Sequence, residues 1–330
     1  MGFSVFVTRE VPKGGLDILR TAPDIERLDI NLEDRVLSRQ ELLARVKGRD
    51  GVLSLLTDKI DAEVMDAARG CKVFANFAVG FDNIDIRAAT ERGILVTNTP
   101  GVLTDATADL AWALLFAVAR RIVEADRFTR EGKFKGWGPM MFLGGDVTGR
   151  TLGIVGAGRI GAAVARRSVG FKMTVLYHDP RPNPDMERET GARRVDLDTL
   201  LRESDFVSIH TLLNEETRHL IGKRELELMK PTAYLINTSR GPVIDENALV
   251  EALRTKRIAG AGLDVYEEEP KLAPGLAELD NAVLLPHIAS ATFWTRTRMA
   301  EMAATNLLAA LRGQRPPNLV NPEAWKAGPA

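Results

Sequence analysis

Three side chains, each placed just past an apolar run, have between them the chemistry to reduce a carbonyl group. Leu235-Ile236-Asn237-Thr238-Ser239-Arg240-Gly241 carries an arginine directly beyond a core strand. Gly262-Leu263-Asp264-Val265-Tyr266-Glu267-Glu268-Glu269-Pro270 carries carboxylates beyond a second, and Val283-Leu284-Leu285-Pro286-His287 ends a third in an imidazole. Open α/β sheets bind ligands outside the carboxyl ends of their strands, so residues far apart in sequence can meet there. A guanidinium is a planar fork of donors, suited to gripping a carboxylate and polarising a neighbouring carbonyl. An imidazole titrates close to neutrality and can protonate the carbonyl oxygen. A carboxylate behind the ring orients it and favours its charged form.

The chain has only four histidines, so each can be weighed. His178 reads as an exposed strand end. His210 follows Ser208-Ile209, where its backbone more than its ring would line a ligand cleft. His219, within Glu215-Glu216-Thr217-Arg218-His219, reads as a solvated loop or helix start. His287 alone sits beyond a buried strand in company with the arginine and the acids.

A second signal concerns phosphate. Gly156-Ala157-Gly158-Arg159-Ile160-Gly161 follows the strand Leu152–Val155 and opens a helix. In that context the first glycine makes the turn and the second lets backbone approach a pyrophosphate. The third lets the helix pack on the strand, and the free amides at the helix start hold the phosphates. Asp179 lies eighteen residues after Gly161, at the end of the next strand. That is close to the offset of the acid that accepts from the adenosine ribose hydroxyls. Its charge would repel a 2′-phosphate, so NAD(H) is favoured. Arg181, which can pair with that phosphate, leaves NADP(H) open.

Elements able to hold these groups are legible on both sides. Phe3–Val7, Gly51–Leu55, Lys72–Phe77 and Ile94–Thr97 read as strands. Helices are read at Gly14–Ala22, from Ser38 through Val46, at Asp61–Ala68 and at Ile84–Arg92. Thr104–Arg130 reads as one long helix. After the glycine-rich stretch 132–149 come six further strands: Leu152–Val155, Thr174–Tyr177, Phe206–Ile209, Ala233–Ile236, Ala259–Leu263 and Val283–Leu285. Ala291–Arg312 reads as a last helix, stopped before Pro316-Pro317. Near-continuous apolar strands alternating with helices predict parallel sheets covered on both faces.

Composition excludes several classes. The 330 residues are 45% hydrophobic and 27% charged, as in ordinary globular proteins, and make about two domains. Net charge is −1, which gives no overall field for nucleic acid. The longest apolar run, Leu110–Ala119, is too short to span a bilayer, and no membrane association is expected. With Cys71 the single cysteine and no His, Cys, Asp or Glu cluster at ligand spacing, neither a disulfide nor a metal is expected. The start of the chain lacks the features of a signal peptide, and a reducing, cytoplasmic setting is expected.

These motifs resemble the D-isomer-specific 2-hydroxyacid dehydrogenase family, most of all its glyoxylate/hydroxypyruvate reductase branch. The resemblance runs through Asn76-Phe77-Ala78-Val79-Gly80-Phe81-Asp82-Asn83-Ile84-Asp85, Asn98-Thr99-Pro100-Gly101, Gly156–Gly161, Asn237–Val243, Gly262–Pro270 and Pro286-His287-Ile288-Ala289-Ser290. It implies an α/β protein of two doubly wound parallel sheets. A Rossmann-type nucleotide domain (99–287) would be inserted into a flavodoxin-like substrate domain (1–98 and 288–330). It also implies Arg240 as the substrate-binding and polarising residue, Glu269 as the partner of the histidine and His287 as acid/base. The backbone amides of Val79 and Gly80 would hold the substrate carboxylate. Thr104, Gly156, Gly158, Arg159, Ile160, Gly161, Asp179, Thr238, Ser239, Arg240, Asp264 and His287 would line the cofactor. Of the three glutamates, the one before Pro270 matches the family position, and Glu267 and Glu268 are read as solvated.

Other readings remain in view. The formate branch carries glutamine where this chain has Glu269, and the phosphite branch carries lysine where it has Val79. The phosphoglycerate branch often continues into a regulatory domain. Corepressor relatives bind NAD but dock partner peptides. The reading adopted is reduction of a small 2-oxo acid, glyoxylate or hydroxypyruvate, by a homodimer. The family dimer packs the helix after Thr104 against its counterpart, and Trp137 would approach a neighbouring subunit's site.

Overall fold

The protein, described here by a computed structural model, is defined for residues 2–325; Met1 and 326–330, expected in the flanking domain, lie outside the described residues. It divides into two compact units, one of Met1–Leu103 with Ala291–Ala330 and one of Thr104–Ser290. The helix that starts at Thr104 packs mainly on elements of the second unit.

The first unit runs β1 (Phe3–Val7), α1 (Lys13–Thr21), β2 (Ile25–Ile30), α2 (Arg39–Arg45), β3 (Gly51–Ser54), α3 (Ala62–Ala67), β4 (Val73–Asn76), α4 (Ile86–Glu91) and β5 (Leu95–Thr97). Its sheet is parallel throughout, in the order β2-β1-β3-β4-β5, the flavodoxin-like arrangement. Strand side chains alternate between two cores. Val5 and Val7 join Leu16 and Leu19 of α1, whereas Phe6 joins Leu42, Val64 and Ala88 on the other face. Ser38 caps α2 in a full capping box with Glu41, as its position before an apolar pattern predicts. Strand β2, Ile-Glu-Arg-Leu-Asp-Ile, has no counterpart in the sequence expectation. It is an edge strand paired on one side only, so its sequence tolerates charge where central strands do not.

The second unit continues with α5 (Thr104–Ala119), α6 (Ile122–Arg130), β6 (Thr151–Val155), α7 (Arg159–Ser168), β7 (Thr174–His178), α8 (Pro184–Thr190), β8 (Arg193–Arg194), α9 (Leu197–Glu203), β9 (Phe206–Ile209), α10 (Lys223–Leu228), β10 (Tyr234–Asn237), α11 (Glu246–Arg254), β11 (Gly260–Leu263) and β12 (Ala282–Leu284). The chain then returns to the first unit as α12 (Phe293–Leu311), whose Ala300, Ala303 and Leu307 pack with α1. The second sheet is also wholly parallel, ordered β12-β11-β10-β9-β6-β7-β8. Strand order reverses between β6 and β9, the point at which doubly wound sheets bind dinucleotides.

One expected helix is two. Arg121 adopts a left-handed φ of 53°, which separates α5 from α6. The amide of Gly145 donates to the Ala119 carbonyl at 2.9 Å, so the loop takes an acceptor that a continuous helix would use itself.

Candidate active site

The glycine turn sits at the carboxyl end of β6. Gly156 has φ +94°, a conformation other residues rarely adopt, and a Cβ there would lie 2.8 Å from the His210 carbonyl carbon. A Cβ on Gly161 would lie 2.0 Å from the Gly156 carbonyl oxygen, so α7 reaches the strand only because that side chain is absent. On Gly158 a Cβ would meet nothing within 4 Å. That glycine leaves open space at the start of α7. Arg159 and Ile160 begin α7, with Arg159 exposed.

Asp179 holds this turn from the end of β7. Its Oδ2 accepts from the Ala157 amide at 2.9 Å and its Oδ1 from the Arg181 amide at 2.8 Å. Each oxygen keeps a further lone pair for a ribose hydroxyl. Arg194, unremarked in the sequence, donates from Nε to the Asp179 carbonyl at 3.0 Å and from Nη2 to that of Pro180 at 2.8 Å. It is set on a two-residue edge strand, which gives no periodic signal.

Beyond β9 and β10 three buried polar atoms have no hydrogen-bond partner: His210 Nδ1, Thr211 Oγ1 and Thr238 Oγ1. Burial without a partner is costly and marks a place where a ligand atom belongs. Burial alone pushes the His210 imidazole down to about 3, so it is neutral, and its Nε2 meets Ser208 Oγ at 2.8 Å. The His210 backbone packs against the glycine turn. The open space over Gly158, the helix start behind it and these unpartnered atoms fit a dinucleotide along this edge of the sheet.

Arg240, Glu269 and His287 follow β10, β11 and β12, three adjacent strands whose carboxyl ends share the same edge. Asn237 shapes the first turn. Its Nδ2 donates to the Arg240 carbonyl at 2.9 Å, and its Oδ1 accepts from the Ser239 amide and hydroxyl at 2.9 and 2.8 Å. The guanidinium donates from Nη1 to the Ser239 carbonyl at 2.8 Å.

His287 and Glu269 form a pair, Nδ1 to Oε2 at 2.9 Å, with side chains 25% and 31% exposed. An ionised carboxylate only accepts, so Nδ1 carries a proton and Nε2 is the nitrogen directed away from Glu269. Burial pushes the Glu269 carboxyl up. The His287 hydrogen bond and charge, the Tyr266 amide and the Arg240 charge outweigh that and hold it below its usual range.

The His287 turn is gripped from both sides. Tyr266 donates its hydroxyl to the Leu285 carbonyl at 2.9 Å and its amide to Glu269 Oε1 at 3.1 Å. Asp264, fully buried, accepts from the Ile288 and Ala289 amides at 2.7 and 2.8 Å. Those bonds fix His287 at a left-handed φ of 55°, a conformation that persists only where surroundings over-determine it. Asp264 thus holds the turn, a task its place in the cofactor expectation did not include. Tyr266 and Asn237 went unnoticed because what reveals them is backbone contact across strands.

In the first unit, the loop of Val79 and Gly80 is held by asparagines. Asn98 Nδ2 donates to the Val79 carbonyl at 2.8 Å and Asn76 Nδ2 to that of Gly80 at 2.9 Å. Asn83 ties this loop to Leu55 and Asp58. In a trans peptide the N–H points opposite to the carbonyl, so the Asn98 bond also sets the direction of the Gly80 amide. Thr104 opens α5. Among the described residues no group of three or more His, Cys, Asp or Glu side chains is placed to hold a metal ion, and no helix is long and apolar enough to cross a membrane.

Residues 112–289 match the family model described as D-isomer specific 2-hydroxyacid dehydrogenase, NAD binding domain. The chain belongs to that family. This dehydrogenase is 57% identical to a glyoxylate reductase of Korarchaeum cryptofilum over 98% of both chains. It superposes with a TM-score of 0.89 on a protein of Thermus thermophilus, at 50% identity, covering 96% of this chain and 99% of that one. An NADPH-dependent glyoxylate/hydroxypyruvate reductase of Sinorhizobium meliloti, solved with NADP and malonate, superposes with a TM-score of 0.86 at 31% identity over the whole of both. The dehydrogenase is an NAD(P)-dependent enzyme with the two doubly wound sheets of its relatives. NAD is favoured and NADP is compatible.

Proposed function

We propose that this dehydrogenase reduces glyoxylate and hydroxypyruvate to their 2-hydroxy acids. The observation that carries the reading is the His287–Glu269 pair at 2.9 Å, borne beside Arg240 on adjoining strand ends of the sheet that carries the glycine turn. Bound NAD(P)H would supply the hydride that the carbonyl carbon accepts. His287 gives the proton on Nε2 to the carbonyl oxygen, and Glu269 steadies the resulting ring. Arg240 holds the substrate carboxylate and polarises the carbonyl, with the Val79 and Gly80 amides assigned to the same carboxylate. Thr104, Gly156, Gly158, Arg159, Ile160, Gly161, Asp179, Thr238, Ser239 and Asp264 are assigned to the cofactor. Residues 99–287 are read as the nucleotide domain and the flanks as the substrate domain.

Steady-state oxidation of NADH and NADPH against a panel of 2-oxo acids tests this. Glyoxylate and hydroxypyruvate are expected to give the highest kcat/KM, with NADH above NADPH. Absence of turnover with every member would leave the binding-protein alternative standing.

A homodimer and a cytoplasmic location are part of the same reading. Supporting the dimer, α6 and the loop after it expose Ile122, Val123, Phe134, Trp137, Met140 and Leu143, with Trp137 83% exposed. An apolar surface of that extent marks an interaction site. Light scattering is expected to return twice the 36.2 kDa of one chain, and a mass of one chain would refute it.

A further inference from the structure

A second histidine–glutamate pair lies behind the first. His219 Nε2 meets Glu267 Oε1 at 2.6 Å, although both residues read from sequence as solvated. The sequence has no means of showing this, since forty-eight residues separate them. Glu267 is two residues from Glu269, and its backbone and side chain are engaged reciprocally with Glu246. Glu246 Oε2 accepts from the Glu267 amide at 3.0 Å, and Glu267 Oε2 accepts from the Glu246 amide at 3.4 Å. Glu246, only 5% exposed, also accepts from the Ala273 amide at 3.4 Å. Both ends of the loop that carries Glu269 are thereby tied to the first residue of α11.

The backbone of His219 is tied to the Arg240 turn. Its amide donates to the Pro242 carbonyl at 2.8 Å, and the next residues form a short parallel bridge, Ile221 with Ile244. Gly241, directly after Arg240, lies so close to the Glu269 loop that a Cβ would fall 1.8 Å from the Tyr266 carbonyl carbon. His219 holds a left-handed φ of 51°, as His287 does. It therefore grips the Arg240 turn with its backbone and the Glu269 loop with its ring. Arg218 Nη2 lies 3.9 Å from the same Glu267 oxygen.

From this we infer that His219, Glu267 and Glu246 are positioning residues that set the place of Glu269, and through it His287, relative to Arg240. The inference rests on the reaction proposed above. As an ion pair alone, a His219 ring 43% exposed would contribute little to stability. As a brace it matters more, because a shift of about 1 Å in a reacting group can lower a rate about a hundredfold.

The test uses the full-length enzyme with glyoxylate and NADH, where wild-type turnover checks the reaction and the variants check the brace. His219→Ala is expected to lower kcat about tenfold with the KM for NADH and the melting temperature nearly unchanged, and to move the acidic limb of the rate–pH profile to higher pH, because a looser His287 contact holds the Glu269 carboxyl down less. His219→Gln, whose amide can still donate to Glu267, should recover most of that rate. In a Glu269→Ala background His219→Ala should cost nothing further, since the contact it supports is already gone. If His219→Ala does not fold, Glu267→Ala, which removes the acceptor for His219, carries the same expectations. Wild-type kcat and pH profile in the single variants, or a full additional loss in the Glu269→Ala background, would overturn the brace.

Discussion

Replacing His287 with alanine is expected to lower kcat for glyoxylate reduction by about 10²–10⁴-fold, the usual contribution of a positioned proton donor. The protein should stay folded and bind NADH, because the turn is held by Tyr266 and Asp264 through its neighbours, not through the ring. His287→Asn provides a control for the backbone. Asparagine tolerates the left-handed conformation found at this position, so its loss of rate reports the missing imidazole alone. The pH dependence follows from the Glu269 pair. Its carboxyl is held below the usual range, chiefly by the His287 hydrogen bond, so the carboxylate that orients the ring persists to lower pH than an ordinary glutamate would. Orientation of the ring needs that carboxylate, so on acidification activity should fall only below the usual glutamate range, and in Glu269→Gln, which has no carboxyl to titrate, that acidic fall should disappear. Stopped-flow and steady-state rates across pH would show this. Turnover of His287→Ala at the wild-type rate would remove the role assigned to the imidazole.

Arg240→Lys is expected to raise the KM for glyoxylate and lower kcat/KM by about ten- to a hundredfold, with the KM for NADH little changed. A charge-assisted hydrogen bond is worth about 1.5–3 kcal/mol, and an ammonium retains the charge while losing the planar fork. Lysine would also give up the bond from Nη1 to the Ser239 carbonyl that directs the guanidinium. The KM values for 2-oxo acid and cofactor, measured separately, distinguish this from a general loss of fold. Kinetics identical to wild type would rule out bidentate capture at this position.

Much of this enzyme is legible before any coordinates. The core strands announce themselves because a parallel strand buried on both faces must be apolar along its length, as in Val73–Asn76 and Phe206–Ile209. Strands β2 and β8 escape notice because an edge is half solvated, and charged runs such as Ile25–Ile30 and Arg193–Arg194 are allowed there. The break between α5 and α6 escapes for another reason. Helix periodicity continues across Arg120-Arg121, and only the docking of Gly145 on the Ala119 carbonyl ends the first helix.

At the site the division is similar. Arg240, His287 and the glycine turn are announced by residue type next to strand ends, since their chemistry and their steric demands are local, whereas only the family resemblance picks Glu269 from three successive glutamates. Asp264 and Tyr266 look alike in sequence to any acid and aromatic after a strand. Their tasks exist only because β11 and β12 lie side by side, which brings Ile288, Ala289 and Leu285 within reach. The same holds for His219 and Glu267, read as solvated until three loops are seen packed together. Local patterning, then, marked the core strands and the groups able to do chemistry, because burial and reactivity are properties of single residues and their neighbours in the chain. How those groups are aimed was left to tertiary contacts, because a hydrogen bond between distant loops leaves no periodic trace in either one.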